Sequence, residues 1–187
     1  MSTPGAWLRF LAVAALYGGA FYVWRRAMPF SLESPWFVLV AMICFLGLAF
    51  TARPLTRIRM PGPLRAIRAW ETGGGVYRAL RVPAFGRLLR RTPLRYFNTD
   101  VYFSQGRRDV AGVLAQVEAA EAAHFWAAVL VAPYMVLVAL RGAWDAVFWV
   151  TLAQVAINAY PVMHLRLVRH RLGALASRLS KPAAGTT

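Results

Sequence analysis

Four long apolar runs, separated by arginine-rich segments, constrain the fold of this chain more than any other feature. The runs cover residues 7–24, 35–50, 125–140 and 143–165. A helix that crosses the hydrocarbon core of a bilayer needs about 20 apolar residues. Backbone N–H and C=O groups find no partners in lipid, so such runs fold as helices. The pattern predicts an all-α integral membrane protein with about four transmembrane helices.

The lengths of the runs leave some alternatives open. Runs 35–50 and 125–140 are slightly short for a full crossing. Either they borrow flanking residues and snorkelling arginine stems, or they are re-entrant segments. The first run has the length of a signal peptide, but the Trp24-Arg25-Arg26 that follows resembles an interfacial anchor more than a cleavage site. We therefore expect the first run to be retained.

The charge of the chain is strongly positive, because 22 Lys and Arg oppose 7 Asp and Glu to give +15. Such an excess suits either nucleic acid or a membrane surface. Nucleic-acid binders carry their cations on a soluble fold. Here 59% of the residues are hydrophobic and the cations lie between the apolar runs. The composition favours membrane lipids, including anionic headgroups, as partners, and it argues against nucleic acid.

The distribution of arginine predicts the orientation of the chain. Thirteen Arg lie in the segment 51–124, and four Arg with Lys181 lie in the tail 166–187. By the positive-inside rule, the long segment and both termini are cytoplasmic. We expect residues 1–187 to form a single multi-pass membrane domain.

The segment 51–124 is predicted to be a basic cytoplasmic or interfacial loop. Residues 64–70 and 82–89 mix arginine with apolar side chains, as interfacial amphipathic helices do. Pro83 and Pro93 argue against one long helix there. A solvated basic loop that only enforces the topology is the alternative.

The best catalytic candidates lie on a helix that is predicted to begin at Asp109 and to enter the third run. Glu121 and His124 are three residues apart, so they share one face of this helix. A carboxylate that orients an imidazole produces a general base, although an interfacial Glu–His pair without a catalytic role is the alternative. Glu-x-x-His is also half of a di-iron signature, but the sequence has no second copy, so we expect no metal.

Polar side chains also mark the last run and the tail. Thr151, Gln154 and Asn158 share one helical face, where they either bond to other helices or contact a substrate. Three arginines follow the end of the run: Arg166, Arg169 and Arg171. Such a cluster binds anionic headgroups or a phosphorylated donor, or it simply anchors the helix end.

An ordered set of these residues resembles a known family. The set comprises Glu71-x-x-Gly74-x-x-Tyr77, Pro93, Asn98, Ala120-Glu121-x-x-His124, Asn158, Arg166, Arg169, Arg171 and Leu172. It resembles the glycosyl-diaponeurosporenoate acyltransferase family of staphyloxanthin-type carotenoid biosynthesis, over about residues 70–179. Phe125 stands where that family has Trp, and Ala119 stands where Arg is common. The chain is therefore identified as a divergent member.

The resemblance implies an activity and a location. Family members are small proteins of the bacterial inner membrane that place an acyl chain on a sugar hydroxyl of a glycosylated carotenoid or lipid. It implies an acyl thioester such as acyl-CoA as a substrate, with no bound cofactor. The apolar helices would accept the acyl chain or the pigment tail.

The resemblance also implies roles for particular residues. His124 would deprotonate the acceptor hydroxyl while Glu121 holds the imidazole. The arginines of the tail would meet the phosphates of the donor. The remaining substrate-binding residues would be Glu71, Asn98 and Asn158.

A non-catalytic subunit of a larger membrane complex is the alternative function. The chain is 13% aromatic and has an arginine-rich loop, which suits packing against other membrane subunits, lipid or pigment. A pigmented photosynthetic or respiratory assembly is an example. Migration in fixed stoichiometry with such partners would favour this alternative.

Overall fold

The computed structural model describes residues 4–28, 31, 33–52, 59–72, 75–92 and 110–179. Within these ranges every regular element is a helix and no strand forms. The prediction of an all-α protein is confirmed. The predicted helix start at Asp109, the loop residues Gly74, Pro93 and Asn98, and Lys181 lie outside the described residues.

The described helices follow one another along the chain. They are α1 (Pro4–Ala27), α2 (Pro35–Ala52), α3 (Gly62–Arg65), α4 (Ala69–Thr72), α5 (Gly75–Ala79), α6 (Val82–Arg91), α7 (Val110–Leu140), α8 (Trp144–Gln154) and α9 (Tyr160–Leu179). A π-helical segment, Val155–Ala159, joins α8 to α9. The predicted helix over 64–70 is replaced by two single turns, because the backbone at Ala66 is extended.

Among the described residues, three helices are long and apolar enough to cross a membrane. They are Trp7–Ala27, Val110–Leu140 and Trp144–Arg178, whereas the apolar part of α2, Pro35–Leu48, is shorter. Their large apolar side chains face outward, with Leu16 70% and Leu140 81% exposed. Exposed apolar surface of this extent marks contact with lipid or with other proteins. Together, these helices indicate a membrane protein.

The chain divides into two compact units. The first contains residues 1–59 and 122–159, and the second contains residues 60–121 and 160–187. Helix α7 therefore supplies residues up to Glu121 to the second unit and residues from Ala122 onward to the first.

The core of the first unit is aliphatic. Val38 and Met42, one turn apart on α2, are buried with Val131 of α7 and Val150 of α8. Phe37 packs beside them, with its ring centroid 6.2 Å from that of Tyr134. In lipid the gain from such contacts comes from close packing, because the hydrocarbon outside is as apolar as the core.

The core of the second unit is built on one stripe of α7. Val113, Val117 and Ala120 recur at helical spacing and are buried against Leu165 and Leu172 of α9. These spacings follow the 3.6-residue period of a helix, so this stripe is the buried face of α7 in the second unit.

Helix α6 packs closely against α9 at a glycine. The Phe85 ring lies 5.4 Å from the Tyr160 ring, centroid to centroid, and the Tyr160 hydroxyl donates to the carbonyl oxygen of Leu80 at 3.0 Å. Gly86 is buried, and a Cβ atom there would collide with the imidazole of His164. The absence of a side chain is what lets the two helices approach.

We expect Gly86→Ala to destabilise the second unit by about 1–3 kcal/mol, because it overpacks this contact. Gly173→Ala on α9 is the matched control, since nothing lies within 4 Å of a Cβ atom there. The control should gain about 0.5–1 kcal/mol from the better helix propensity of alanine. Thermal unfolding in detergent micelles measures both. A Gly86→Ala protein as stable as its control would contradict the close packing.

Candidate functional site

Four charged side chains are buried among the described residues of the second unit. Glu71, Glu121, Arg166 and Arg169 are 5%, 2%, 7% and 8% exposed. A buried charge is costly unless it is paired and hydrogen-bonded. Their partners therefore decide what these predicted site residues can do.

Arg166 uses all five of its N–H donors within the protein. Its Nε donates to Glu71 Oε2 at 3.1 Å, and Nη2 lies 2.8 Å from Glu71 Oε1. Nη1 donates to Glu121 Oε1 at 3.0 Å. Nη1 and Nη2 also donate to the carbonyl oxygens of Leu64 and Ala66, both at 2.7 Å. The guanidinium is therefore saturated by two carboxylates and two backbone groups.

The end of α3 supplies the backbone acceptors. This helix has a single turn, ending at Arg65, and its last carbonyl groups have no helical partner. The extended backbone at Ala66 turns these groups towards α9. The carbonyl of Arg65 accepts from Arg169 Nη2 at 2.6 Å, beside the two that Arg166 binds. The carbonyl groups left unpaired at the end of α3 therefore accept the hydrogen bonds that the two buried guanidinium groups need to donate.

Arg169 extends the ion network to the rim of the unit. Its Nη2 donates to Glu121 Oε1 at 3.3 Å. Its Nε lies 3.0 Å from Glu121 Oε2, but the N–H does not point at that oxygen, so this contact is an ion pair only. Nη1 lies 3.8 Å from Glu118 Oε1, and Glu118 Oε2 accepts from Arg65 Nη2 at 2.6 Å. The pair with Glu118 raises the pKa of Arg65.

The charges of this network balance. Three carboxylates, Glu71, Glu118 and Glu121, meet three guanidinium groups, those of Arg65, Arg166 and Arg169. Tyr77 of α5 borders the network. Burial raises the pKa of Tyr77 and the negative charge of Glu71 raises it further, so the phenol stays protonated.

A second polar cluster lies in the first unit, around His124. The Nδ1 atom of this buried histidine lies 3.4 Å from Asn158 Oδ1. Asn158 Nδ2 donates to Gln154 Oε1, and Gln154 Nε2 donates to the carbonyl oxygen of Ala128 at 3.2 Å. The cluster is a linear relay of three side chains that ends on the backbone.

The backbone end of the relay fixes the direction of every bond. The carbonyl of Ala128 can only accept, so Gln154 presents its NH₂ group there and its oxygen to Asn158. Asn158 must then donate to Gln154, which leaves its oxygen facing His124. That oxygen can only accept, so a hydrogen bond across this 3.4 Å contact requires the proton on Nδ1 of His124. In the neutral imidazole this tautomer has its lone pair on Nε2, as a general base requires.

The local backbone explains how these groups meet. Asn158 lies in the π-helical segment, and such segments are often found at functional sites. Gln154 precedes it by four residues, on the same helical face. Pro133 of α7 removes the helical hydrogen bond of the Val129 carbonyl, which neighbours the Ala128 carbonyl that Gln154 binds.

Comparison with known proteins identifies the chain's relatives. Residues 63–178, more than half of the chain, match the family of glycosyl-4,4'-diaponeurosporenoate acyltransferase. The chain belongs to this family. The family indicates an acyltransferase of carotenoid biosynthesis, and the resemblance predicted from the sequence is confirmed. No curated protein and no solved structure matches the chain.

The region matched by the acyltransferase family contains both polar clusters and begins after α2. The structure brings together Glu71, Glu121, Arg166 and Arg169 in the second unit, and His124 with Asn158 in the first. Arg171 is exposed on α9. Asn98 lies outside the described residues. Of the described His, Cys, Asp and Glu side chains, no three come together as metal ligands.

Two roles look different once the contacts are known. Glu121 remains the predicted partner of His124, but its described bonds are with Arg166 and Arg169. The sequence left two roles open for Gln154, bonding to another helix or contacting a substrate, and the structure shows a bond to another helix. Only its contact with the Ala128 carbonyl gives the relay a direction.

We expect Arg166→Gln to destabilise the second unit by about 3–5 kcal/mol, because it leaves buried carboxylates without their cation. The double variant Arg166→Gln with Glu71→Gln should be less destabilised, since it restores charge balance. Exposed Arg178→Gln is the matched control and should change stability by less than about 0.5 kcal/mol. Thermal unfolding in micelles measures all three. An additive double variant would contradict a coupled network.

Proposed function

We propose that the protein transfers an acyl chain from a thioester to a sugar hydroxyl of a glycosylated carotenoid or a related glycolipid. Family membership supports the reaction class. The apolar helices suit a reaction between two lipid-like substrates, because an acyl chain and a carotenoid tail both partition into a bilayer. The observation that carries the proposal is the directed relay behind His124.

His124 acts as the general base in this mechanism. Its Nε2 takes the proton of the sugar hydroxyl while the hydroxyl oxygen attacks the thioester carbonyl carbon. The tetrahedral intermediate collapses, the carbon–sulfur bond breaks, and the imidazolium returns the proton to the leaving thiolate. An alcohol and a thioester thus give an ester and a thiol, with no redox change and no metal.

Asn158 and Gln154 act as positioning residues. Asn158 Oδ1 faces Nδ1 and stabilises the positive charge that develops on the ring. Gln154 holds the Asn158 amide in the required orientation. An amide in this position resembles the Cys-His-Asn arrangement of other acyl-transfer enzymes, in which the histidine is oriented by a neutral side chain.

The predicted sugar contacts have less support. Both carboxylate oxygens of Glu71 lie against Arg166, and Asn98 lies outside the described residues.

The proposed orientation keeps both termini and the segment 51–124 on the cytoplasmic side of the inner membrane, because arginine is concentrated there. Acyl-CoA is available on that side.

His124→Ala should lower ester formation about 10²–10⁴-fold, because it removes the general base. His170→Ala is the control, since His170 is exposed on α9. The measurement is transfer of a radiolabelled acyl chain from acyl-CoA to a glycosylated carotenoid by purified protein in nanodiscs. Protein yield and thermal unfolding should match the wild type for both variants.

Full activity of His124→Ala would reject this mechanism. No activity in any variant, combined with fixed-stoichiometry co-migration with other membrane proteins, would favour the non-catalytic subunit instead.

Gln154→Leu should lower kcat about 10-fold or more with little change in KM. Without its acceptor, the Asn158 amide can rotate and offer its NH₂ group to Nδ1, which moves the imidazole proton to Nε2. Thr151→Val is the matched control, because Thr151 lies one turn earlier and bonds only its own helix, at the Val147 carbonyl. Nitrogen-15 NMR of labelled histidine reports the tautomer directly. An unchanged Nδ1–H signal in Gln154→Leu would contradict the relay.

A further inference from the structure

Most of the described arginines of the second unit take part in none of its ion pairs. The described carboxylates of this unit, Glu71, Glu118 and Glu121, all pair with the arginines of the buried network. Outside that network, seven exposed arginines have no ion-pair partner among the described residues: Arg68, Arg81, Arg87, Arg90, Arg91, Arg171 and Arg178. Four of them lie on α6 or on α9 near the contact between these helices, namely Arg87, Arg90, Arg91 and Arg171. The described part of the unit therefore combines a charge-balanced buried network with a positive surface.

Three of these arginines form an arc on α6. At about 100° per residue, Arg87, Arg90 and Arg91 lie within about 100° of one another around the helix. The buried residues Val82 and Gly86 occupy a different face, which packs against α9. The charge therefore forms one continuous strip that begins at the edge of the helix contact, at Arg90, and continues away from it to Arg87 and Arg91.

The packing of α6 on α9 brings the fourth arginine to this strip. The Phe85 ring lies 6.2 Å from the imidazole of His164, centroid to centroid. Gly86 contacts that imidazole, and Arg90 lies one helical turn after Gly86 on α6. Arg171 lies two turns after His164 on the same face of α9. Two like charges from different helices thus flank one buried ring, and both act electrostatically on it.

Converging guanidinium groups repel one another, and a bound polyanion relieves this repulsion. Guanidinium binds phosphate oxygens through two parallel hydrogen bonds, so clustered arginines favour clustered phosphates. An interfacial helix inserts its apolar face into lipid. Helix α6 packs that face against α9 instead, and of its residues only Leu88 is a large apolar side chain left exposed. The strip is therefore suited to a soluble phosphate compound more than to bilayer insertion.

We propose that Arg87, Arg90 and Arg171 bind the phosphate groups of the acyl donor, a nucleotide thioester of the coenzyme A class. The assignment rests on the proposed acyl transfer. It gives donor binding to exposed arginines, whereas the guanidinium of Arg166 serves the fold. The shared chemistry, a group of phosphates, is also that of anionic lipid headgroups, and the experiment separates the two.

The experiment measures the Kd of free coenzyme A for the full chain in nanodiscs of phosphatidylcholine, by calorimetric titration. We expect Arg90→Gln with Arg171→Gln to weaken binding about 100-fold, or about 10-fold for each arginine. Dephospho-coenzyme A, which lacks the 3′-phosphate, should bind the wild type more weakly than coenzyme A does. Its affinity should also fall less than that of coenzyme A when the two arginines are replaced. Arg178→Gln, an exposed arginine two turns after Arg171, should bind coenzyme A normally.

A second arm uses nanodiscs in which a third of the lipid is phosphatidylglycerol. If the arginines bind headgroups, coenzyme A affinity in phosphatidylcholine is the same in wild type and variant, and only stability in phosphatidylglycerol differs. That result would overturn the assignment. An equal loss of coenzyme A affinity in Arg178→Gln would also overturn it.

Binding and transfer can fail separately. His124→Ala should bind coenzyme A with wild-type affinity while its acyl transfer falls about 10²–10⁴-fold. If the wild type binds coenzyme A through these arginines but transfers no acyl chain, the phosphate site is supported and the proposed function is rejected. If the protein transfers an acyl chain from a donor without phosphates and does not bind coenzyme A, the proposed function is supported and the phosphate site is rejected.

Discussion

Every N–H group of the Arg166 guanidinium bonds to the protein, and the second unit depends on that single side chain. It links α9 to Glu71 of α4, to Glu121 of α7 and to the free carbonyl groups that end α3. Short helices such as α3 and α4 have little stability of their own. Their positions follow from the need of a buried charge for complete hydrogen bonding, because an unpaired one would cost several kcal/mol.

The same requirement shapes the first unit in a different way. His124, Asn158 and Gln154 carry no formal charge in the proposed resting state, so their arrangement is governed by the direction of hydrogen bonds. A backbone carbonyl at one end sets that direction for the whole relay. Polar groups surrounded by apolar side chains have few alternative partners, which makes such a relay well defined. One cluster thus provides rigidity and the other a specific proton position.

Two groups of arginines in this acyltransferase-family chain differ in environment. Arg166 and Arg169 are buried against carboxylates and use their donors within the fold. The arginines of α6 and Arg171 are exposed, with no carboxylate paired to them among the described residues. Closeness in sequence does not reveal this difference, because Arg169 and Arg171 are only two residues apart yet have different surroundings. Helical geometry separates them by about 200°.

The sequence by itself determined the helical fold, the membrane setting and the family, because apolar runs and the order of polar residues are readable without coordinates. It also marked Glu71, Glu121, His124 and the tail arginines as exceptional. Tertiary structure decided which of them meet. Which side chains meet depends on the distances between helices that are far apart in sequence. The spacing of residues along one helix gives no information about these distances. That is why the sequence could mark Gln154 as a polar residue of the last run, whereas only the structure shows that its amide binds the carbonyl of another helix.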